Sequence, residues 1–164
     1  MAQHRSKLDV QAIAADVETR TRKVRVALVA GGSVREAALR TALVADGRQL
    51  MHEDLPPEDV LDALADLEPD VVVIDVPTGL DDDIAVVASI AATSDPTGIV
   101  VVLPEDQPDV AVQALLAGAT GIVWRDACAS ILRDAVAAAA RGEAAVPGGV
   151  TMALVRRLRD ASPG

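Results

Sequence analysis

Residues 71–75, Val-Val-Val-Ile-Asp, constrain this chain more than any other stretch: β-branched side chains run unbroken up to one carboxylate, with Pro77 and Gly79 just beyond. A run this short, with no polar alternation, predicts a strand buried on both faces. Strands of that kind belong to parallel sheets covered by helices, and such sheets place ligands and chemistry at the carboxyl ends of their strands. Asp75 is therefore the first candidate functional residue.

The rest of the chain repeats the theme. Residues 24–30, 99–103 and 121–124 are further apolar strand candidates, and 48–52 is a weaker one. Between them the spacing predicts helices: from the turn at 31–36 to Ala45, from Pro56 and Pro57 to Leu67, from Asp81 to Thr93, from Pro108 to Ala117, and over 131–141 with Asp126 as its cap. Ser33 and Glu36 have the spacing of a capping box. Asp81, Asp82 and Asp83 fall at a helix start, where carboxylates meet free N–H groups and the positive end of the dipole. Strand and helix alternate five times, which implies one parallel sheet with helices on both faces. Residues 8–21 predict an extra N-terminal helix, and Val150 to Arg159 a short C-terminal one after a break at Pro147-Gly148-Gly149. The expected organisation is an N-terminal helical extension over 1–22, a sheet domain over 23–146, and a C-terminal helix and tail over 147–164.

Composition excludes several classes. A net charge of −10 argues against a nucleic-acid surface, which needs clustered Lys and Arg. From Arg48 to Asp109 no basic residue follows Arg48, while acids recur throughout, a pattern expected of a solvated acidic face. Cys128 is the lone cysteine, so no internal disulfide and no Cys-based metal site exists, which fits a reducing cytoplasm. No apolar run reaches membrane-spanning length, and the polar, basic first residues do not read as an export leader. The turn at Gly31-Gly32 has neither dinucleotide nor Walker spacing. His4 and His52 read as solvent-facing, and no metal-ligand spacing or Ser/His/Asp set is present. Trp124 is the only aromatic residue; packing at a strand end is its expected role.

The phrases Val24–Val29, Val34-Arg35-Glu36, Pro69–Asp75, Ile99–Leu103, Leu116–Gly121, Asp126-Ala127 and Arg141–Ala144 resemble the receiver domain of response regulators, in its NarL/LuxR-type branch, over about residues 23–159. The resemblance implies a flavodoxin-like, doubly wound α/β fold with a five-stranded parallel sheet and extra N- and C-terminal helices. In that family an acidic pair after the first strand and a phosphoacceptor Asp hold Mg²⁺, while a Thr or Ser after the fourth strand and a Lys after the fifth engage the phosphoryl group. An aspartate attacks phosphorus only when a cation neutralises the approaching anions. By that resemblance Asp75 takes the phosphoacceptor position, and Ala30 and Gly31 stand where the acidic pair belongs. Pro104 replaces the hydroxyl, Arg125 the lysine, and Ile122 the aromatic switch residue. Pro104 offers neither a hydroxyl nor an N–H, and Arg125 keeps the charge but changes its shape and reach.

These departures predict a degenerate receiver: no enzyme, no resident metal or cofactor, and an Asp75–Arg125 ion pair across the pocket. It would act in two-component signalling or transcription regulation by forming a homodimer or docking on a partner protein, independently of aspartyl phosphorylation, without contacting nucleic acid or membrane itself, and with room for a small-molecule ligand in the pocket. Two further readings stand beside it: the receiver half of a NarL/LuxR-type DNA-binding regulator, cut before its helix-turn-helix, or a flavodoxin-like small-molecule or cofactor-binding protein. The stripe Ile131, Ala135, Ala138 on the Ala-rich helix is expected to serve core packing before any interface.

Overall fold

The structure is a computed structural model that describes residues 10–13, 23–30, 34–45, 47–52, 59–79, 81–93, 98–104 and 107–162. Five parallel strands form one sheet in the order β2-β1-β3-β4-β5: β1 Arg25–Val29, β2 Gln49–His52, β3 Val71–Asp75, β4 Gly98–Leu103 and β5 Gly121–Trp124. Among the described residues six helices follow the strands, α1 Val34–Val44, α2 Val60–Leu67, α3 Asp81–Thr93, α4 Pro108–Ala117, α5 Ala129–Ala140 and α6 Gly148–Ala161. Parallel neighbours need crossovers, and helices supply them on both faces.

β3 is the central strand and is buried along its whole length, as its apolar run requires. Alternation splits its side chains between two cores. Val72 and Ile74 join Val60, Leu64, Val87, Ile90 and Val112 under α2, α3 and α4. Val71 and Val73 meet Leu43, Leu132, Val136 and Ala139 of α1 and α5. With no Phe or Tyr in the chain, these layers close only if helices come near the sheet. Gly98 shows the consequence: a Cβ there would lie 2.7 Å from both the Cβ and the carbonyl oxygen of Ala139. Asp70 fixes the entry to β3, its carboxylate accepting from the Arg25 N–H at 2.8 Å while its own N–H donates to the Arg25 carbonyl at 2.9 Å.

Several local expectations need correction. The cap of α5 is Cys128, not Asp126; residues after β5 first make a turn in which the Ala127 N–H bonds the Trp124 carbonyl at 2.9 Å, delaying the helix. Gly148 and Gly149 open α6 instead of breaking the chain, because first-turn N–H groups have no intrahelical partner and the Pro147 carbonyl accepts from Val150 and Thr151. α2 begins at Val60; Pro56 and Pro57 lie outside the described residues, as do Gly31, Ser33, His4 and most of the predicted N-terminal helix, of which residues 10–13 are helical. Glu36 is buried and bonds Arg40 at 3.1 Å, one turn on. The C-terminal helix was expected to pack on the domain or on a second copy, and α6 does pack on the domain, with Val150 fully buried in the core under α4. On α5, Ala135 and Ala138 are buried and Ile131 is half exposed, so only part of that stripe packs inward. Among the described residues no helix is long and apolar enough to cross a membrane.

Candidate functional site

Asp75 ends β3 at the carboxyl edge of the sheet, and its side chain is only 4% exposed. Past it the ladder continues for one more bond, from the Val76 N–H to the Val102 carbonyl at 3.0 Å, so the backbone around the carboxylate is held rigidly. A buried carboxylate is costly without a cation or donors to replace water.

Arg125 supplies the cation. Its backbone N–H donates to the Leu103 carbonyl at 2.8 Å, which anchors it beside β4. From there the side chain reaches across β4 to β3, where one terminal nitrogen donates to Asp75 Oδ1 at 3.1 Å and to the Val76 carbonyl at 2.9 Å. The guanidinium is 17% exposed. One residue thus ties the ends of three adjacent strands.

A second guanidinium, that of Arg35, stands 3.8 Å from Asp75 Oδ2 and is 42% exposed. At that distance it is an ionic neighbour without a hydrogen bond. Sequence reasoning missed Arg35, although a signal existed. It sits in the first turn of α1, where the helix dipole disfavours a cation; a basic residue there calls for a nearby carboxylate, and Asp75 is that carboxylate. The Nε atoms of Arg35 and Arg125 are both buried and make no hydrogen bond.

The remaining predicted positions surround this group unevenly. Ala30 directly follows β1 and is buried, offering no oxygen ligand from its side chain. Pro104 directly follows β4 and is half-buried, and Ile122 is buried in the core under α4; Gly31 lies outside the described residues. Asp81 and Asp82 are exposed at the start of α3, and Asp83 turns back to the loop, accepting from the Thr78 N–H at 3.2 Å and hydroxyl at 2.6 Å. Among the described residues no three His, Cys, Asp or Glu side chains gather as a metal site. Trp124 is half-buried and packs against the core. The exposed thiol of Cys128, at the start of α5, lies 3.0 Å from the Ser130 hydroxyl; that bond, aided by the Ile131 N–H, lowers its pKa below the ordinary cysteine value.

The fold is that of response-regulator receiver domains. The isolated receiver domain of RcsB from Salmonella enterica serovar Typhimurium matches with a TM-score of 0.67 at 20% identity, over 81% of this chain and 99% of that one. A LuxR-family two-component response regulator from Aurantimonas sp. SI85-9A1 matches at 0.70 and 21% identity, over 84% and 99%. The signal receiver domain of NarL from Mycobacterium tuberculosis matches at 0.65 and 25% identity, over 74% and 99%. No protein-family model and no curated protein matches the sequence. A shared fold at such identity leaves function to be argued from the site.

Proposed function

We propose that this chain is an atypical receiver module of signal transduction in which Asp75 occupies the phosphoacceptor position but serves as the anchor of an ion pair. The observation that carries this reading is the Arg125–Asp75 contact at 3.1 Å, reinforced by Arg35 at 3.8 Å. Mg²⁺ is held by carboxylates, water and phosphate oxygens. Here the described donor set does not fit it: a single buried carboxylate already faces two guanidinium groups, and the residue that the family resemblance sets at the acidic-pair position, Ala30, is buried and has no side-chain oxygen. A dication entering beside Arg35 and Arg125 would meet like charge in a partly buried setting, where screening by water is weak.

Without the metal-assisted switch, the module acts through its surface, by pairing with a second copy or docking on a partner protein. RcsB, whose receiver shares this fold, forms dimers that bind DNA; the acidic net charge of the present chain sets it apart from a DNA-contacting surface. Incubation with acetyl phosphate and Mg²⁺, read by intact mass, tests the reading. The expected spectrum is that of the unmodified chain. A stable adduct of one phosphoryl group that disappears in Asp75→Asn would overturn it.

A further inference from the structure

The second half of α6 is uncovered. Val150 is fully buried and Ala153 and Leu154 pack against the core, but every residue from Arg156 to Ala161 is exposed. The i, i+4 spacing that seats Val150 and Leu154 continues to Leu158, which is 59% exposed and has Arg157 and Arg159 on either side. A helical end without tertiary packing is marginal in water. This apolar and cationic end therefore gains from a cover that offers apolar surface and carboxylates together.

The chain displays such a cover where its own α6 does not reach. On this side of the sheet α2 packs on α3, α3 on α4 and α4 on α6, so the layer runs α2-α3-α4-α6. Between α2 and α3 lies a groove of about 170 Å³, lined by Leu61, Ala85, Val86, Ser89 and Asp82. Asp62 and Asp66, one turn apart on α2, are exposed. Between the acidic and basic ends of the layer, α3 carries no ionisable side chain from Ile84 to Thr93, and Leu116 on α4 is 63% exposed.

We propose that this helical layer pairs with a second copy of itself about a two-fold axis near α4, so that the end of α6 from each copy lies on the α2–α3 groove of the other. A two-fold contact uses one patch twice. A patch that is acidic at one end, uncharged in the middle and basic at the other becomes its own complement when turned by half a revolution. Leu158 then meets the apolar lining of the groove, Arg156, Arg157 and Arg159 face Asp62, Asp66 and Asp82, and Leu116 is covered near the axis. The net charge of −10 opposes the approach of two copies. Its reach is only about 8 Å at physiological ionic strength, so the opposite charges in direct contact outweigh it. The inference rests on the reading of this module as one that pairs through its surface, and it names the face.

Sedimentation velocity of the full chain tests this, with charges exchanged in two exposed sets: Arg156→Glu, Arg157→Glu and Arg159→Glu on α6, and Asp62→Arg with Asp66→Arg on α2. The unaltered chain is expected to pass from the mass of one chain to that of two as its concentration rises. Each altered chain alone is expected to pair at least about tenfold more weakly, because like charges then face each other. An equimolar mixture of the two altered chains is expected to pair as the unaltered chain does, since each acidic α6 meets a basic α2 and each basic α6 an acidic one. Leu158→Ser, which keeps every charge, is expected to weaken pairing severalfold; circular dichroism verifies the fold of each variant. A chain that stays single at millimolar concentration, variants that pair like the unaltered chain, or a mixture that fails to recover would each overturn the proposal. None of these results depends on Asp75: failure of the receiver reading shows as a phosphoryl adduct in the mass spectrum, and failure of this inference shows in sedimentation.

Discussion

Arg125 and Arg35 both face Asp75, yet their surroundings give them different weight. Arg35 is 42% exposed and 3.8 Å away, the setting of a surface pair worth about 0–1 kcal/mol. Arg125 is largely buried and also bonds the Val76 carbonyl, so its loss would strand a desolvated carboxylate. The Asp75–Arg125 pair was legible only through the family resemblance, which set both residues at the carboxyl edge of the sheet, and the contact spans β4, which lies between their strands. Arg35 gave a weaker signal, a cation in a first helical turn, and which carboxylate it meets shows only once α1 is docked. At Cys128 the Ser130 hydroxyl and the Ile131 N–H favour the thiolate, so the anion forms at lower pH in the folded chain than in the unfolded one. Alkylation by iodoacetamide is expected to rise through a lower pH midpoint in native than in denatured protein, with Ser130→Ala moving the native midpoint upward; coincident midpoints would contradict this.

Elements follow from two periodicities, and their ends from particular residues. β1, β3, β4 and β5 announced themselves as apolar runs because both faces of each are covered. The start of α5 escaped because Asp126 looks like a cap, while the turn held by the Ala127-to-Trp124 bond postpones the helix to Ala129. Likewise Gly148 and Gly149 read as a break but form a first turn, where glycine costs little packing. Close approach of α5 to the start of β4 is a feature that no local pattern shows. Gly98→Ala is expected to lower stability by about 1–3 kcal/mol through overpacking against Ala139, measured by urea denaturation. An unchanged midpoint would mean that α5 sits farther from the sheet.

Across the whole molecule charge is unevenly spread. Asp59, Asp62, Asp66, Glu68, Asp81 and Asp82 are exposed on or beside α2 and α3, whereas Arg156, Arg157 and Arg159 are exposed on α6. With a net charge of −10 the folded state carries self-repulsion. Salt shortens the reach of that repulsion to about 8 Å at physiological ionic strength. The melting temperature is therefore expected to rise between low-salt buffer and physiological salt, as scanning calorimetry would show; a fall would mean that attractive pairs dominate the surface. Composition made the acidic balance plain, but only the fold separates an acidic helical face from a basic C-terminal helix.

The most direct test of the account is a double-mutant cycle on Asp75→Asn and Arg125→Met, read by chemical denaturation. Arg125→Met alone is expected to cost about 3–5 kcal/mol, because Asp75 stays buried without its cation. In the double variant much of that loss should return, giving a coupling energy of about 1 kcal/mol or more. Additive effects of the two substitutions would contradict the claim that Asp75 is the anchor of an ion pair.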